Sequence, residues 1–354
     1  MSHVPPARPL GQAPRSATLR RRGPLLALLP VAAITLAACG GGDSSGGGSA
    51  AGGLDDGFGS RNEARAVTFI EYYDPSTDAF WGQISQGARD AAELGGLDIT
   101  EQNADGDASR MVDLISSAIA TDPAAIYVPF NDPAWEGAAC EADAAGIPVF
   151  AYNVPPSEAA VDCVQAFVGQ DFTEVGRLVG ERLLEEVDLQ AGDKVLCPAE
   201  EPQQQYAIQR GGGVEQALAA AGVSCTYLRT GGADEEALNA MTTWLSANQD
   251  VKAVVPLGGT PHRNAVAAED AAGVEVPIVG FDTSPQVIDG IKSGRIIATA
   301  DQQGYVQGFQ TVLQSTLFLD FGIAPADINS GGNALIDESN VANLEDPELQ
   351  TVRW

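Results

Sequence analysis

Short apolar runs alternate with amphipathic stretches from residue 66 almost to the end of the chain. Val67-Thr68-Phe69-Ile70 reads as a strand and residues 80–94 as a helix, followed by a strand at 97–101, a helix at 109–120 and a strand at 125–128. A helix at 134–145 and the strand Ile147-Pro148-Val149-Phe150 complete one set. The pattern then restarts, with strands at 166–168, 194–196, 225–228, 251–255 and 278–281. Helices are expected from 172 and at 208–221, 235–247, 264–272 and 285–293. Continuous apolar strands separated by helices mean parallel sheets covered on both faces. Asp132-Pro133 and Ser284-Pro285 each supply a side-chain cap followed by a proline at the first helical position. The strand count is about twice that of one doubly wound domain, so two α/β lobes are expected, with ligands at the carboxyl ends of the strands. A last helix at 305–321 carries Val306, Phe309, Leu313 and Leu317 at helical spacing, a core stripe.

Ahead of this body the pattern differs. Arg8, Arg15, Arg20, Arg21 and Arg22 precede an apolar run at 24–38, interrupted by Pro30. The run is short for a bilayer span and fits the core of a signal peptide. It ends in Leu36-Ala37-Ala38-Cys39, which resembles a bacterial lipobox, so residues 1–38 read as a cleaved leader and Cys39 as the lipidated first residue. Residues 39–65, rich in Gly, Ser, Ala and Asp, read as a flexible leash. An exported body held on the outer face of the cell membrane by its lipid is expected.

The chain holds 48 acidic against 19 basic side chains, and five of the bases lie in the leader. Such a body repels phosphate backbones and anionic surfaces, so nucleic-acid binding is excluded. With only His3 and His262 present, a His-rich metal site and most His-centred triads are excluded as well. Cys140, Cys163, Cys197 and Cys225 remain after Cys39, and four cysteines allow three pairings. An exported chain permits disulfides, and the element order favours the sequential pairs Cys140–Cys163 and Cys197–Cys225. No Cys-x-x-Cys spacing supports zinc or redox chemistry, and no cofactor is expected.

Several fragments, taken in order, resemble the periplasmic-type sugar-binding proteins of ABC importers, the ribose/xylose/galactose group. Asp78-Ala79-Phe80-Trp81 is similar to that family's Asn-Pro-Phe-Phe segment after its first strand. Gly169-Gln170-Asp171 with Gly176 is similar to the joint where the family's chain enters its second lobe. Gly280-Phe281-Asp282 resembles the Gly-Phe-Asp turn, and Ile291-Lys292-Ser293-Gly294 its following helix end. Asp301-Gln302-Gln303-Gly304-Tyr305-Val306-Gln307-Gly308 resembles the Asp-Gln-Gln-Pro-Tyr-Leu-Gln-Gly crossover. The resemblance implies two Rossmann-like lobes joined by a three-strand hinge, with crossings near Gly169, Asp301 and Ala324. Residues 66–169 and 302–324 would form one lobe, residues 170–301 and 325–354 the other. It further implies a monomer that closes on a monosaccharide and delivers it to a permease served by a separate ATPase. No Gly-x-x-x-x-Gly-Lys-Ser/Thr phosphate loop is present in this chain.

Sugar chemistry agrees with that implication. Aromatic rings cover the C–H faces of a sugar, while carboxylates, amides and guanidinium groups take its hydroxyls in paired hydrogen bonds. The resemblance carries ligand contact onto Asp78, Phe80, Trp81, Asn131, Arg210, Asp282 and Gln302, and the strand-end position of Asn153 adds it. Phe80 and Trp81 open a helix, so one of the two rings can belong to the core; Asp132 reads as a helix cap. The Asn-Asp pair usual in the family after the strand at 251–255 is replaced by Leu257-Gly258-Gly259-Thr260-Pro261-His262, so Thr260 is the candidate substitute. His262 reads as an ordinary helix-start histidine ahead of a ligand contact. Asp78 replaces the usual Asn, an extra carboxylate suited to an amino sugar or simply to hydroxyls. Two other classes stay open: a module presenting a sugar or signal molecule to a membrane sensor, and an exported carbohydrate-active enzyme using two carboxylates.

Overall fold

The computed structural model describes Phe58, residues 65–331 and residues 335–345. The leader, the lipidated Cys39 and most of the leash lie outside these residues. Arg65, expected to end the leash, already belongs to the first strand and pairs with Leu97.

The first lobe is built by β1 (Arg65–Glu71), α1 (Ala79–Gly95), β2 (Leu97–Asn103), α2 (Ala108–Ala120), β3 (Ile126–Pro129), α3 (Glu136–Ala144), β4 (Val149–Asn153) and β5 (Phe167–Gly169). The second contains α4 (Phe172–Glu186), β6 (Lys194–Ala199), α5 (Gln205–Leu218), β7 (Cys225–Arg229), α6 (Asp234–Ala247), β8 (Val251–Val254), α7 (Gly259–Ala272), β9 (Val279–Phe281), α8 (Pro285–Lys292) and β10 (Ala298–Ala300). The chain then returns through α9 (Gly304–Phe321) and β11 (Ile328–Asn329) before β12 (Leu335–Asp337). The first sheet is wholly parallel, in the order β11-β5-β4-β3-β1-β2. The second lobe has two three-stranded sheets, β7-β6-β8 and β12-β10-β9, bridged in parallel where Val254 meets Ile278. Its edge strand β12 runs antiparallel to β10, so the expected all-parallel sheet holds except at that edge.

β11 moves one expected boundary. The resemblance implies a third crossing near Ala324, yet Ile328 and Asn329 pair with Val168 and Gly169 of the first sheet, so the chain crosses only after β11. Side chains explain the extension. Asp327 accepts the Phe167 N–H at 2.8 Å and Asn329 accepts the Asp171 N–H at 3.1 Å, which gives a two-residue strand an edge to hold. Helix boundaries also shift: α5 runs Gln205–Leu218 where 208–221 is expected. α7 begins at Gly259, earlier than expected, and a 3-10 turn at Pro133–Trp135 precedes α3.

Each lobe closes around a pair of helices brought together by glycines. A Cβ on Gly87 would lie 2.2 Å from the Tyr305 carbonyl oxygen, and one on Gly308 only 1.9 Å from that of Ile84. This clamps α9 onto α1. In the second lobe Gly213 approaches the Thr173 carbonyl and Gly176 that of Arg210 in the same manner. Of the Gly211–Gly213 run inside α5, Gly213 serves this close packing on α4, while Gly211 makes room for the Tyr227 ring of β7.

The disulfides Cys140–Cys163 and Cys197–Cys225 are both formed. The first ties α3 to the turn before β5, the second links neighbouring strands β6 and β7. Loops of this size are stabilised by about 2–4 kcal/mol on cross-linking. Among the described residues no helix is long and apolar enough to cross a membrane. A direct check of the clamp is Gly308→Ala, which forces a methyl group against backbone that cannot yield as a side chain would. It is expected to destabilise the protein by about 1–3 kcal/mol, read as a lower midpoint in chemical unfolding. Gly137→Ala, where a Cβ meets nothing within 4 Å, should leave the midpoint near wild type.

Candidate functional site

The carboxyl ends of β4 and β9 finish in residues that fold back. Asn153 and Asp282 both have positive φ, 62° and 71°. Asn and Asp tolerate this left-handed conformation better than most side chains. Asp282 is fixed there by its own backbone: its N–H donates to the Ala300 carbonyl at 2.9 Å, and its carbonyl accepts the Thr299 hydroxyl at 2.7 Å.

Arg210 lies almost wholly buried, its guanidinium 4.6 Å from the ring centres of both Phe172 and Phe281. Nη1 donates to the Leu257 carbonyl at 2.6 Å, and the two terminal nitrogens reach Asp282 Oδ2 and Oδ1 at 3.3 and 3.5 Å. Gln302 Nε2 donates to Asp282 Oδ1 at 2.5 Å, and Asn153 Nδ2 donates to Gln302 Oε1 at 3.2 Å. Gln307 steadies the centre of this chain, accepting from Asn153 and donating to the Gln302 carbonyl. Asn153 of the first lobe, Gln302 of the crossover, and Asp282 and Arg210 of the second lobe thus form one continuous polar chain.

Asp78 caps α1, its Oδ1 accepting the N–H groups of Phe80 and Trp81 at 3.0 and 3.2 Å. Burial holds its pKa above the usual carboxylate range. Arg263 opposes that shift, while the Asp282 charge adds to it. The Tyr72 hydroxyl donates to the Gly106 carbonyl at 2.7 Å.

Other expected residues fall less centrally. Trp81 is 4% exposed and packs in the first-lobe core, with ring centres 5.8 and 6.2 Å from Tyr73 and Tyr152. It lies on the buried stripe of α1 with Ile84 and Ala88, whereas Phe80 is only half-buried. Asn131 is buried past the end of β3, and its Oδ1 has no partner. Thr260 is engaged through its N–H, which donates to Glu200 Oε1 at 2.8 Å. His262 is buried beneath the Gly-Phe-Asp turn, its Nδ1 2.7 Å from the Phe281 carbonyl, and burial pushes its pKa down to about 4. It supports Asp282 from behind.

The sequence pattern passes over Glu200, Gln204 and Tyr206. The available signal was their position just past β6, where strand-end chemistry is concentrated. A separate cavity of about 220 Å³ opens beside the crossover, lined in part by Thr283, Gln303, Tyr305 and Val306, and holds none of the expected ligand residues. Among the described residues no group of His, Cys, Asp and Glu is arranged to hold a metal ion.

The raised pKa of Asp78 has a signed consequence. A carboxyl group whose folded pKa exceeds its unfolded value opposes folding once ionised, and that penalty fades as pH falls through the folded pKa. Asn caps a helix as well as Asp. Asp78→Asn is therefore expected to melt at or above wild type at neutral pH, with the difference shrinking toward pH 4. Thermal melts across pH check this, and a variant less stable at pH 7 would contradict it.

The periplasmic binding protein domain family matches residues 72–320. A xylose/arabinose-binding protein of Sulfolobus acidocaldarius is 28% identical over 295 residues, 78% of this chain and 71% of the relative. A D-apiose import binding protein of Actinobacillus succinogenes is 28% identical over 276 residues, covering 76% of this chain and 88% of the relative. Among solved structures, a carbohydrate transporter of Acidothermus cellulolyticus in complex with myo-inositol superposes with a TM-score of 0.73 at 28% identity, covering 82% of this chain and 100% of the other. The two parallel-sheet lobes, the polar chain between them and these matches agree, and the chain belongs to the periplasmic binding protein family.

Proposed function

We propose that this protein captures a monosaccharide or cyclic polyol between its lobes and delivers it to the permease of an ABC importer, whose ATPase is a separate polypeptide. One observation carries the reading: the polar chain Asn153–Gln302–Asp282–Arg210 runs from one lobe through the crossover into the other. The planar groups of that chain are those that read ring hydroxyls in pairs. The relatives supply the chemical class, since their names record xylose, arabinose, apiose and myo-inositol.

In this reading Asp282, Arg210 and Gln302 hold hydroxyls on the second-lobe side. Asp78, Asn131 and Asn153 face them from the first lobe, Phe80 covers a C–H face, and Thr260 borders the cleft. Closure would take the ligand out of water and bring these groups together about the hinge. The protein acts as a monomer and binds its ligand without turnover. Cys39 carries the lipid, and the Gly/Ser-rich leash sets the body free of the membrane surface.

Calorimetric titration of the exported chain with a panel of pentoses, hexoses, inositols and nucleosides tests the assignment. Asp282→Asn and Arg210→Lys keep volume while breaking the paired geometry, and each is expected to weaken the preferred ligand by about 10- to 100-fold. A wild-type protein that binds no sugar or polyol overturns the reading. For the anchor, Cys39→Ser is expected to move the protein from the membrane fraction to the soluble one. Unchanged partitioning would refute lipidation at that residue.

A further inference from the structure

The start of α7, just past β8, carries two adjacent glycines, Gly258 and Gly259, and each has a carboxylate against it. A Cβ on Gly258 would lie 1.9 Å from Glu200 Oε2 and 2.7 Å from Oε1, so the Glu200 carboxylate occupies the space a side chain at 258 would need. A Cβ on Gly259 would lie 3.6 Å from Asp282 Oδ2. The loop is held in place from behind, where Arg210 Nη1 bonds the Leu257 carbonyl.

Glu200 is positioned by two donors. Its Oε1 accepts the Thr260 N–H at 2.8 Å in the first turn of α7, whose cap residue Gly258 offers no side chain of its own. Its Oε2 accepts the Tyr206 hydroxyl at 2.6 Å, and the Tyr206 ring lies 5.6 Å from the Arg210 guanidinium carbon. Each carboxylate oxygen has a second lone pair beyond the bond it accepts here. Glu200 follows β6 directly, at the carboxyl end of the strand where ligands of such folds sit.

We propose that Glu200 is a ligand-reading residue, accepting a ring hydroxyl beside the side-chain-free Gly258–Gly259 surface. Together with Asp282 and Asp78 it restricts the cleft to uncharged polyhydroxylated rings and rejects sugar acids and sugar phosphates. This rests on the capture reading above. Acceptors on three sides suit hydroxyl donors, whereas an added carboxylate or phosphate on the ring would be set against like charge. The Arg210 guanidinium is already charge-paired with Asp282, so an anionic ligand would compete with that carboxylate for it.

Calorimetric titration separates this role from mere capping of α7. The full-length chain is titrated with D-xylose, D-ribose, D-glucose and myo-inositol, and in parallel with D-glucuronate and D-ribose 5-phosphate. Wild type is expected to bind at least one neutral ring and neither anion. Glu200→Gln keeps an acceptor for the Thr260 N–H and a polar partner for Tyr206. It is expected to weaken the neutral ligand by about 10-fold or more and to narrow its discrimination against the matching anion. Gly258→Ala retains the carboxylate but displaces it, and should weaken the same ligand. If both variants keep wild-type affinity and wild-type rejection of the anions while melting lower, Glu200 is only a helix cap and the proposal is overturned. Wild-type binding of an anion in preference to every neutral ring overturns it too. Binding of none of these compounds would sink the capture reading itself, a distinct failure.

Discussion

A guanidinium group taken out of water must be paired, and the pairing of Arg210 with Asp282 organises much of what surrounds it. Removing one partner of such a buried pair costs about 3–5 kcal/mol, because the other is left uncompensated. The pair in turn dictates its neighbours. Phe172, the first residue of α4, and Phe281, the last of β9, hold the guanidinium between their rings, so α4 and β9 cannot shift independently. Asp282 has to leave β9 in a left-handed conformation to present its carboxylate, and His262 and Thr299 support that turn from beneath. Gln302 then extends the pair into the crossover, where the Ser330 hydroxyl and Gln307 amide hold its carbonyl. Gln302 thus belongs at once to the crossover and to the candidate site, so the geometry of one bears on that of the other.

The helix pairs set how well that geometry is held. Where glycine lets α9 lie directly on α1, and α5 directly on α4, backbone meets backbone without intervening side chains that can change rotamer. Arg210 and Gln302 project from elements positioned in this manner: Arg210 from α5, and Gln302 from the residues just ahead of α9. Asp78 fixes the start of α1 by capping it, so the same carboxylate that faces the second lobe also ends the loop that presents it. A polar group that serves a helix end and a boundary at once has little freedom to move, and preorganisation of this kind lowers the entropy lost on binding.

Much of this was legible in the sequence because it is local. Alternation of apolar runs with amphipathic stretches located the strands and helices, and Asp132 and Ser284 cap their helices as their position before proline suggests. Cys140 and Cys163, like Cys197 and Cys225, lie one element apart, which made the sequential pairing readable. What escaped depends on contacts between distant parts. β11 is too short to show a pattern and exists because Asp327 and Asn329 find the free edge of β5. The Phe80-Trp81 pair announces rings near the site, yet only the phase of α1 against its core tells which ring is committed inward. Glu200 reads as one acid of an adjacent pair past a strand, and becomes informative only when the empty place at Gly258, far along the chain, is seen to be filled by it.

That empty place bears on where a ligand can bind. Arg210 uses both oxygens of Asp282 and Gln302 adds a bond to Oδ1, so the less occupied acceptor is Oδ2, the oxygen nearest the Gly259 backbone. Glu200 stands on the other side of the same glycine pair. A side chain at Gly258 would collide with the Glu200 carboxylate and one at Gly259 would lie against Asp282, so bare backbone lets both carboxylates keep their places. In the proposed reading the hydroxyl acceptor at this loop is Glu200, at the end of β6, and the glycines leave its carboxylate in place.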